Sequence, residues 1–337
     1  MKSGLPRRAF LAGIAALGGA YAASALSGER ENRISGMSPN KNTDRLKSPF
    51  RIAVINDEIS EDFDRACHVA AREFGMEWME VRGMWNKNIV SLDSKEAAEA
   101  RRILDKYKLR VTDIASPLFK TDWPGAPKSK FSPAKPEFNA DFRFAQQDEV
   151  LERALELAKQ FGTDRVRCFD FWRLEDQAPY RAAMNDRLRE AAVKAGKKNI
   201  TLVLENELSC NTATGAEAAK VLDMVKSRWL MLNWDPGNAA ARGEKPFPDG
   251  YSLLPKDRIG HCHCKDVVRK SGDEPYDWAK MGSGIIDWLG QFKALKRDGY
   301  RYAVSLETHW GGGGTPEEST RQSWAGMKHL LQEAGAL

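Results

Sequence analysis

Four short runs carry ionisable side chains out of apolar, strand-like sequence. They are Leu202-Val203-Leu204-Glu205-Asn206-Glu207, Leu232-Asn233-Trp234-Asp235-Pro236-Gly237-Asn238, Gly260-His261-Cys262-His263-Cys264-Lys265-Asp266 and Ser305-Leu306-Glu307-Thr308-His309. Side chains alternate along an extended strand, so Glu205 shares a face with Glu207, His261 with His263, and Glu307 with His309. Cys262 and Cys264 then face the opposite way, toward a helix layer. One imidazole and three carboxylates from consecutive strands make a mixed nitrogen–oxygen donor set. Such a set suits one divalent ion (Mn²⁺, Mg²⁺, Co²⁺ or Zn²⁺) better than a soft thiolate metal. A single acid at a strand end is as often a loop cap or an ion-pair partner. Four at matching depth on adjacent strands are much harder to explain structurally.

The elements that must hold these residues follow one rhythm from Phe50 onward. Strand patterns at Arg51–Asn56, Trp78–Arg82, Val111–Ala115, Arg165–Phe169, Ile200–Glu205, Leu230–Asp235, Ile259–Cys264 and Tyr302–Glu307 alternate with amphipathic stretches. Helices are expected at Glu61–Phe74, Lys95–Tyr107, Gln147–Phe161, Tyr180–Ala195, Gly215–Val225, Trp288–Asp298 and Pro316–Glu333, with a weak segment at Tyr251–Leu254. Eight strands alternating with helices, with no break between halves, predict a single-domain α/β fold, a (β/α)8 TIM barrel over residues 49–337. No Gly-x-Gly-x-x-Gly follows a strand, and Gly311–Gly314 lacks both that spacing and a Walker lysine. In such barrels the active site lies at the C-terminal ends of the strands, where the four runs end.

Leu-Glu-Asn-Glu (204–207), Asp-Pro-Gly-Asn (235–238), Gly-His-Cys-His-Cys-Lys-Asp (260–266), Gly-Ser-Gly-Ile-Ile-Asp-Trp (282–288) and Ser-Leu-Glu-Thr-His (305–309) recur in a telling order. Together they make the chain resemble the xylose-isomerase-like sugar phosphate isomerase/epimerase superfamily. The resemblance implies that Glu205, Asp235, His263 and Glu307 bind one divalent metal, with His261 beside them orienting a ligand. It also implies that Glu205 and Glu307 are the acid/base pair, moving a proton next to a sugar carbonyl through an enediolate while the metal polarises that carbonyl and its neighbouring hydroxyl. Two departures touch the substrate rather than the metal. Asn238 stands where sugar epimerases often carry a histidine, and Ser283 where an acid often separates the two glycines.

Further candidates lie around these. Glu80 and Arg82 end the second strand on one side, as a substrate contact or as a barrel-lining ion pair. Lys265 would hold a sugar hydroxyl or carboxylate, or pair with Asp266. Glu207, Asn238 and His309 are candidate substrate-facing residues, whereas His68 and His329 fall in helical patterns as ordinary residues. Trp85, Trp172 and Trp310 follow strand ends, where aromatic walls suit a sugar ring. The segment Pro117–Phe144, with five prolines, reads as a lid or partner surface, Trp123 being a candidate contact.

The N-terminus accounts for much of the charge. Arg7-Arg8-Ala9-Phe10-Leu11 and the uncharged stretch Ala9–Gly28 resemble a twin-arginine export signal, with residues 1–25 as the leader and 26–48 as a polar linker. The expected location is periplasmic or otherwise exported, the alternative being a membrane anchor left uncleaved. The chain of 337 residues carries +5 overall, and residues 1–25 hold three positive and no negative charges, which leaves +2 for the remainder. That balance argues against a nucleic-acid partner. The five cysteines are spread over helix, strand and loop without a disulfide framework. Free thiols in an exported protein fit export after folding in the reducing cytoplasm.

The sequence therefore predicts a metal-dependent sugar isomerase, epimerase or related lyase. Its expected partners are a small sugar, the export machinery and, as an open option, a second copy of the chain. Export favours a free, keto or glycosidic sugar over a sugar phosphate. A non-catalytic carbohydrate-binding protein is the alternative. An apurinic-site endonuclease would need several histidines around three zinc ions, and the ends of strands two and three offer none.

Overall fold

The computed structural model describes residues 46–133, 142–270 and 275–337. The expected leader, most of the expected linker and residues 134–141 of the Pro117–Phe144 segment lie outside them. Eight strands form the barrel: β1 (Arg51–Val54), β2 (Trp78–Val81), β3 (Arg110–Leu118), β4 (Arg165–Cys168), β5 (Thr201–Glu205), β6 (Leu230–Trp234), β7 (Ile259–Cys264) and β8 (Ala303–Leu306). They pair in parallel in the order β1-β8-β7-β6-β5-β4-β3-β2. The remaining seam is bridged where Ile55, just past β1, meets Glu80 of β2. The result is the predicted α/β barrel in one domain.

The helices are α1 (Phe63–His68), α2 (Ser94–Tyr107), α3 (Gln147–Phe161), α4 (Arg181–Gly196), α5 (Gly215–Val225), α6 (Pro236–Ala241), α7 (Trp288–Arg297) and α8 (Pro316–Glu333). Their apolar faces follow the helical period: α2 buries Ala97, Ala100, Ile103 and Leu104. Its start is fixed by Asp93, which accepts from the Lys95 and Glu96 amides while Glu96 accepts from the Asp93 amide. Such a capping box contributes about 1 kcal/mol. Between sheet and helices lies one core that includes Leu202, Leu204, Cys262 and Cys264. All five cysteines are free and buried. Among the described residues no helix is long and apolar enough to cross a membrane.

The structure corrects several boundaries. β3 runs through Pro117 to Leu118, so the long segment starts later than the sequence suggests. The first helix stops at His68 and continues as a wider turn, Val69–Glu73, in which the Phe74 amide donates to the Val69 carbonyl at 3.0 Å. Two short hairpins crown the strand ends, Gly83–Met84 with Lys87–Asn88 and Asp266–Arg269 with Tyr276–Ala279. Strands this short carry too little alternation to be read from sequence.

Candidate metal centre

The four polar runs converge at the C-terminal end of the barrel. Glu205 is the last residue of β5 and His263 lies inside β7, while Asp235 and Glu307 directly follow β6 and β8. Asp235 also caps α6: its Oδ1 accepts from the Asn238 amide at 2.8 Å, and Pro236 occupies the first turn, where no amide hydrogen is needed. That leaves Oδ2 turned inward. Asn206 pins this corner, accepting from the Asp235 amide at 2.7 Å and donating to the Asp235 and Ala213 carbonyls at 2.8 and 3.1 Å.

His263 Nδ1 faces Glu307 Oε2 at 3.2 Å and both Glu205 Oε1 and Asp235 Oδ2 at 3.6 Å. Ligand atoms from these four buried residues all lie within 4.8 Å of one another. His263 Nδ1 is fully buried without a hydrogen-bond partner, although three carboxylates surround it. A buried ring nitrogen facing three acid groups is a donor set for a divalent cation, so these residues fit the metal that the sequence implies.

Three cations surround the set. Lys265 Nζ lies 2.6 Å from Glu307 Oε2 and 2.8 Å from Asp235 Oδ2. Its stem passes over Gly237, where any Cβ would stand 2.5 Å from the Lys265 Cγ. Arg167 of β4 donates to Glu205 Oε2 at 3.2 Å. Arg82 donates to Glu307 Oε1 at 3.1 Å, to Asp57 at 3.0 Å and to Glu58 at 2.6 Å. Each glutamate thus has one oxygen near His263 and the other against an arginine.

Two pairs foreseen as options are not formed. Glu80 turns to the histidines instead of Arg82, with its Oε1 3.0 Å from His263 Nε2. Asp266 does not hold Lys265; it accepts from the Val267, Gly282, Gly284 and Ile286 amides at 3.0 to 3.3 Å and so anchors the Gly-Ser-Gly loop. Ser283 donates its hydroxyl to the Lys280 carbonyl, within its own loop. Asn238 Nδ2 reaches Glu205 Oε1 at 3.2 Å and Glu207 Oε2 at 3.4 Å, while Glu207, beyond the strand end, also accepts from the Ser209 hydroxyl. His309 Nε2 stands 3.2 Å from Glu307 Oε1.

The aromatic candidates divide. Trp85 packs edge-on against Phe63, and Trp123 against Phe144 and Phe171. Trp172 clusters with Phe169 and Cys210, and the Trp310 ring lies over Gly312. Trp278 escaped the sequence reading: the second hairpin sets it 4.8 Å from the His309 ring and 5.1 Å from Lys265 Nζ. Arg167, Asp113 and Asn233 were also missed. Charged residues alternating along buried β4 (Arg165, Arg167) were the available signal for the first of these.

Burial alone would raise the carboxylates and lower the cations, but mutual charge overrides it. Glu205 and Glu307 are held far below the usual carboxylate range, Glu205 by His263 and Arg167, Glu307 by Lys265 and His263. Glu80, facing both histidines, falls to about 2. Lys265 is pushed well up by Asp235 and Glu307, and His263 by Glu80, Glu307 and Glu205. Glu58 goes the other way: burial raises it despite Arg82.

Known proteins share this framework. The Escherichia coli K12 protein SgbU, provisionally named an L-ribulose-5-phosphate 3-epimerase, is 23% identical over 254 residues, 68% of this chain and 88% of that protein. The crystal structure of the IolI protein with a bound zinc atom superposes with a TM-score of 0.66 at 15% identity, over 86% of this chain and all of that one. D-allulose 3-epimerase from Methylomonas sp. gives 0.59 at 19% identity, covering 86% and 99% of the two chains. At such identities the solved structures establish the fold alone. The sequence model of a xylose isomerase-like TIM barrel matches residues 69–330, and with that match the chain belongs to the xylose isomerase-like TIM barrel family.

Proposed function

We propose that the protein is a divalent-metal-dependent isomerase or epimerase of a free, keto or glycosidic sugar. The observation that carries this reading is the ring of Glu205, Asp235, His263 and Glu307, whose ligand atoms lie within 4.8 Å of one another around an unpartnered His263 Nδ1. SgbU, named as a 3-epimerase of a sugar phosphate, supports epimerase chemistry on a sugar. A divalent ion held by these four residues would polarise a sugar carbonyl and acidify the adjacent C–H. Glu205 and Glu307 approach from different strands, so one can remove that proton from one face and the other return a proton to the opposite face. Arg167 and Arg82 hold their outer oxygens and set their orientation. Trp278 with His309 supplies an apolar wall on the Glu307 side. Lys265 places an ammonium beside Glu307, where it can bond a substrate oxygen. The twin-arginine-like leader supports export, and with it an unphosphorylated sugar.

The test is solvent-deuterium exchange into a panel of free and 3-keto sugars, with and without Mn²⁺. Metal-dependent exchange with conversion of one sugar is the expected result, and Glu307→Gln should abolish it while keeping the fold. Absence of exchange across the panel, together with no bound metal by elemental analysis, would overturn the proposal.

A further inference from the structure

Beside the metal ring the barrel holds a second polar layer sealed from solvent. Glu80 of β2, Asp113 of β3, Asn233 of β6, and His261 and His263 of β7 are all fully buried. Their hydrogens must therefore be shared among themselves and with buried neighbours such as Thr112, whose hydroxyl donates to Asp113 Oδ1 at 3.2 Å. His263 Nε2 lies 3.0 Å from Glu80 Oε1 and 3.1 Å from Asn233 Nδ2. Asn233 Oδ1 lies 3.1 Å from His261 Nδ1. His261 Nε2 faces carboxylates alone, Asp113 at 3.2 Å and Glu80 at 3.5 Å.

The accounting has one solution with both rings free of an extra proton on Nδ1. An ionised carboxylate only accepts, so Nε2 of each histidine must carry a hydrogen. His263 Nε2–H is then shared between Glu80 Oε1 and the near end of Asn233, and an amide nitrogen there would set donor against donor. The oxygen and nitrogen of an amide have the same shape, so the hydrogen bonds decide which faces which. The Asn233 amide must therefore be turned over from its orientation in the structure, Oδ1 to His263 and Nδ2 to His261, which in turn requires a bare His261 Nδ1. The opposite amide orientation would leave a donor clash at His263 and would demand a charged His261.

We propose that Asn233 is a positioning residue which, together with Glu80, fixes His263 with its hydrogen on Nε2 and its Nδ1 lone pair turned toward Glu205, Asp235 and Glu307. Asn233 reads both histidines at once: its oxygen selects the His263 tautomer, and its NH₂ selects the complementary one in His261. The purpose of that lone pair rests on the metal reading above; the tautomers do not. Hydrogen bonds behind a ligating histidine typically change metal affinity 10- to 100-fold.

The experiment is nitrogen-15 NMR of the full chain labelled at histidine, metal-free and with Zn²⁺, the chain having only five histidines. His261 is expected with hydrogen on Nε2 and a bare Nδ1 in both samples, and His263 with hydrogen on Nε2 throughout and none on Nδ1 once zinc is added. A hydrogen on His261 Nδ1 would overturn the proposal without any variant being made. Chelator competition completes the test: Asn233→Leu, which removes the acceptor at nearly constant volume, and Glu80→Gln should each weaken Zn²⁺ binding at least tenfold, and affinities within twofold of wild type would refute it. Should the wild type bind no zinc, the metal reading fails while the His261 tautomer still decides this one.

Discussion

Lys265 Nζ lies 2.6 Å from Glu307 Oε2, the same oxygen that stands 3.2 Å from His263 Nδ1. A protein ammonium and any bound divalent ion therefore share one carboxylate oxygen. Both neutralise the same buried acids, so they must repel each other. At an effective dielectric of about 20, charges some 4 Å apart interact by about 4 kcal/mol per unit pair. Lys265→Met should bind Mn²⁺ or Zn²⁺ at least tenfold more tightly than wild type, measured by chelator competition. In the metal-free protein the same change leaves Asp235 and Glu307 uncompensated, and should cost about 3–5 kcal/mol in urea unfolding. Unchanged metal affinity would show that the ammonium and the metal do not compete for these carboxylates.

Arg167 is expected to act on turnover instead of on metal. It fastens Glu205 Oε2 at 3.2 Å while two more of its hydrogens reach the Ala115 and Ser116 carbonyls. Misplacing a reacting group by about 1 Å costs on the order of 100-fold in rate. Arg167→Met should lower kcat for exchange about 10- to 100-fold, with KM and metal content changed little. Arg167→Lys keeps the charge but loses the planar fork, and should recover only part of the rate. Equal losses in kcat and metal content would assign Arg167 to the ligand scaffold.

The metal-free fold should weaken in acid first. Glu80 sits at about 2 in the folded chain, and Glu205 and Glu307 are likewise depressed. Their stabilisation is fully present above the unfolded carboxylate pKa of about 4.3 and is lost as pH falls toward the folded values. For Glu80 alone the loss is on the order of 3 kcal/mol. His263 has the opposite sign: its raised pKa stabilises fully below about 6.5, and that contribution fades only as pH rises through the elevated folded value. Denaturant midpoints in chelator should therefore drop below about pH 4.5 and hold between that point and neutrality. A maximum below pH 4 would contradict the assigned directions.

What could be read from sequence was whatever repeats or clusters. The βα rhythm and the four polar strand ends place the barrel and bring Glu205, Asp235, His263 and Glu307 together, because register and alternation act over whole strands. The partners of those residues were not legible. Glu80 and Arg82 are two apart and of opposite charge, yet each finds a partner more than 20 residues away. Lys265 and Asp266 are adjacent, but one turns to the barrel and the other to its loop. Asn233 looks like an ordinary polar residue until β6 and β7 set it opposite His261. Such choices depend on which strand lies alongside, and short-range pattern carries no record of that.

Gly237 offers the last check, because its role is steric. It occupies the second position of α6, and a Cβ added there would stand 2.5 Å from Lys265 Cγ and 3.2 Å from Asp235 Oδ1. The Lys265 stem is held at both ends, by β7 and by the two carboxylates, so it cannot swing aside without giving up its ion pairs. Gly237→Ala should therefore destabilise the metal-free protein by about 1–3 kcal/mol, the usual cost of overpacking a tight interior. It should also shift metal affinity in the same direction as Lys265→Met, because the displaced ammonium no longer rests on Glu307. Combining Gly237→Ala with Lys265→Met separates the two effects. Once the side chain no longer ends in ion pairs, its stem can swing aside and the added methyl group should cost much less, and a double-variant stability equal to the sum of the single losses would rule out the contact as its cause.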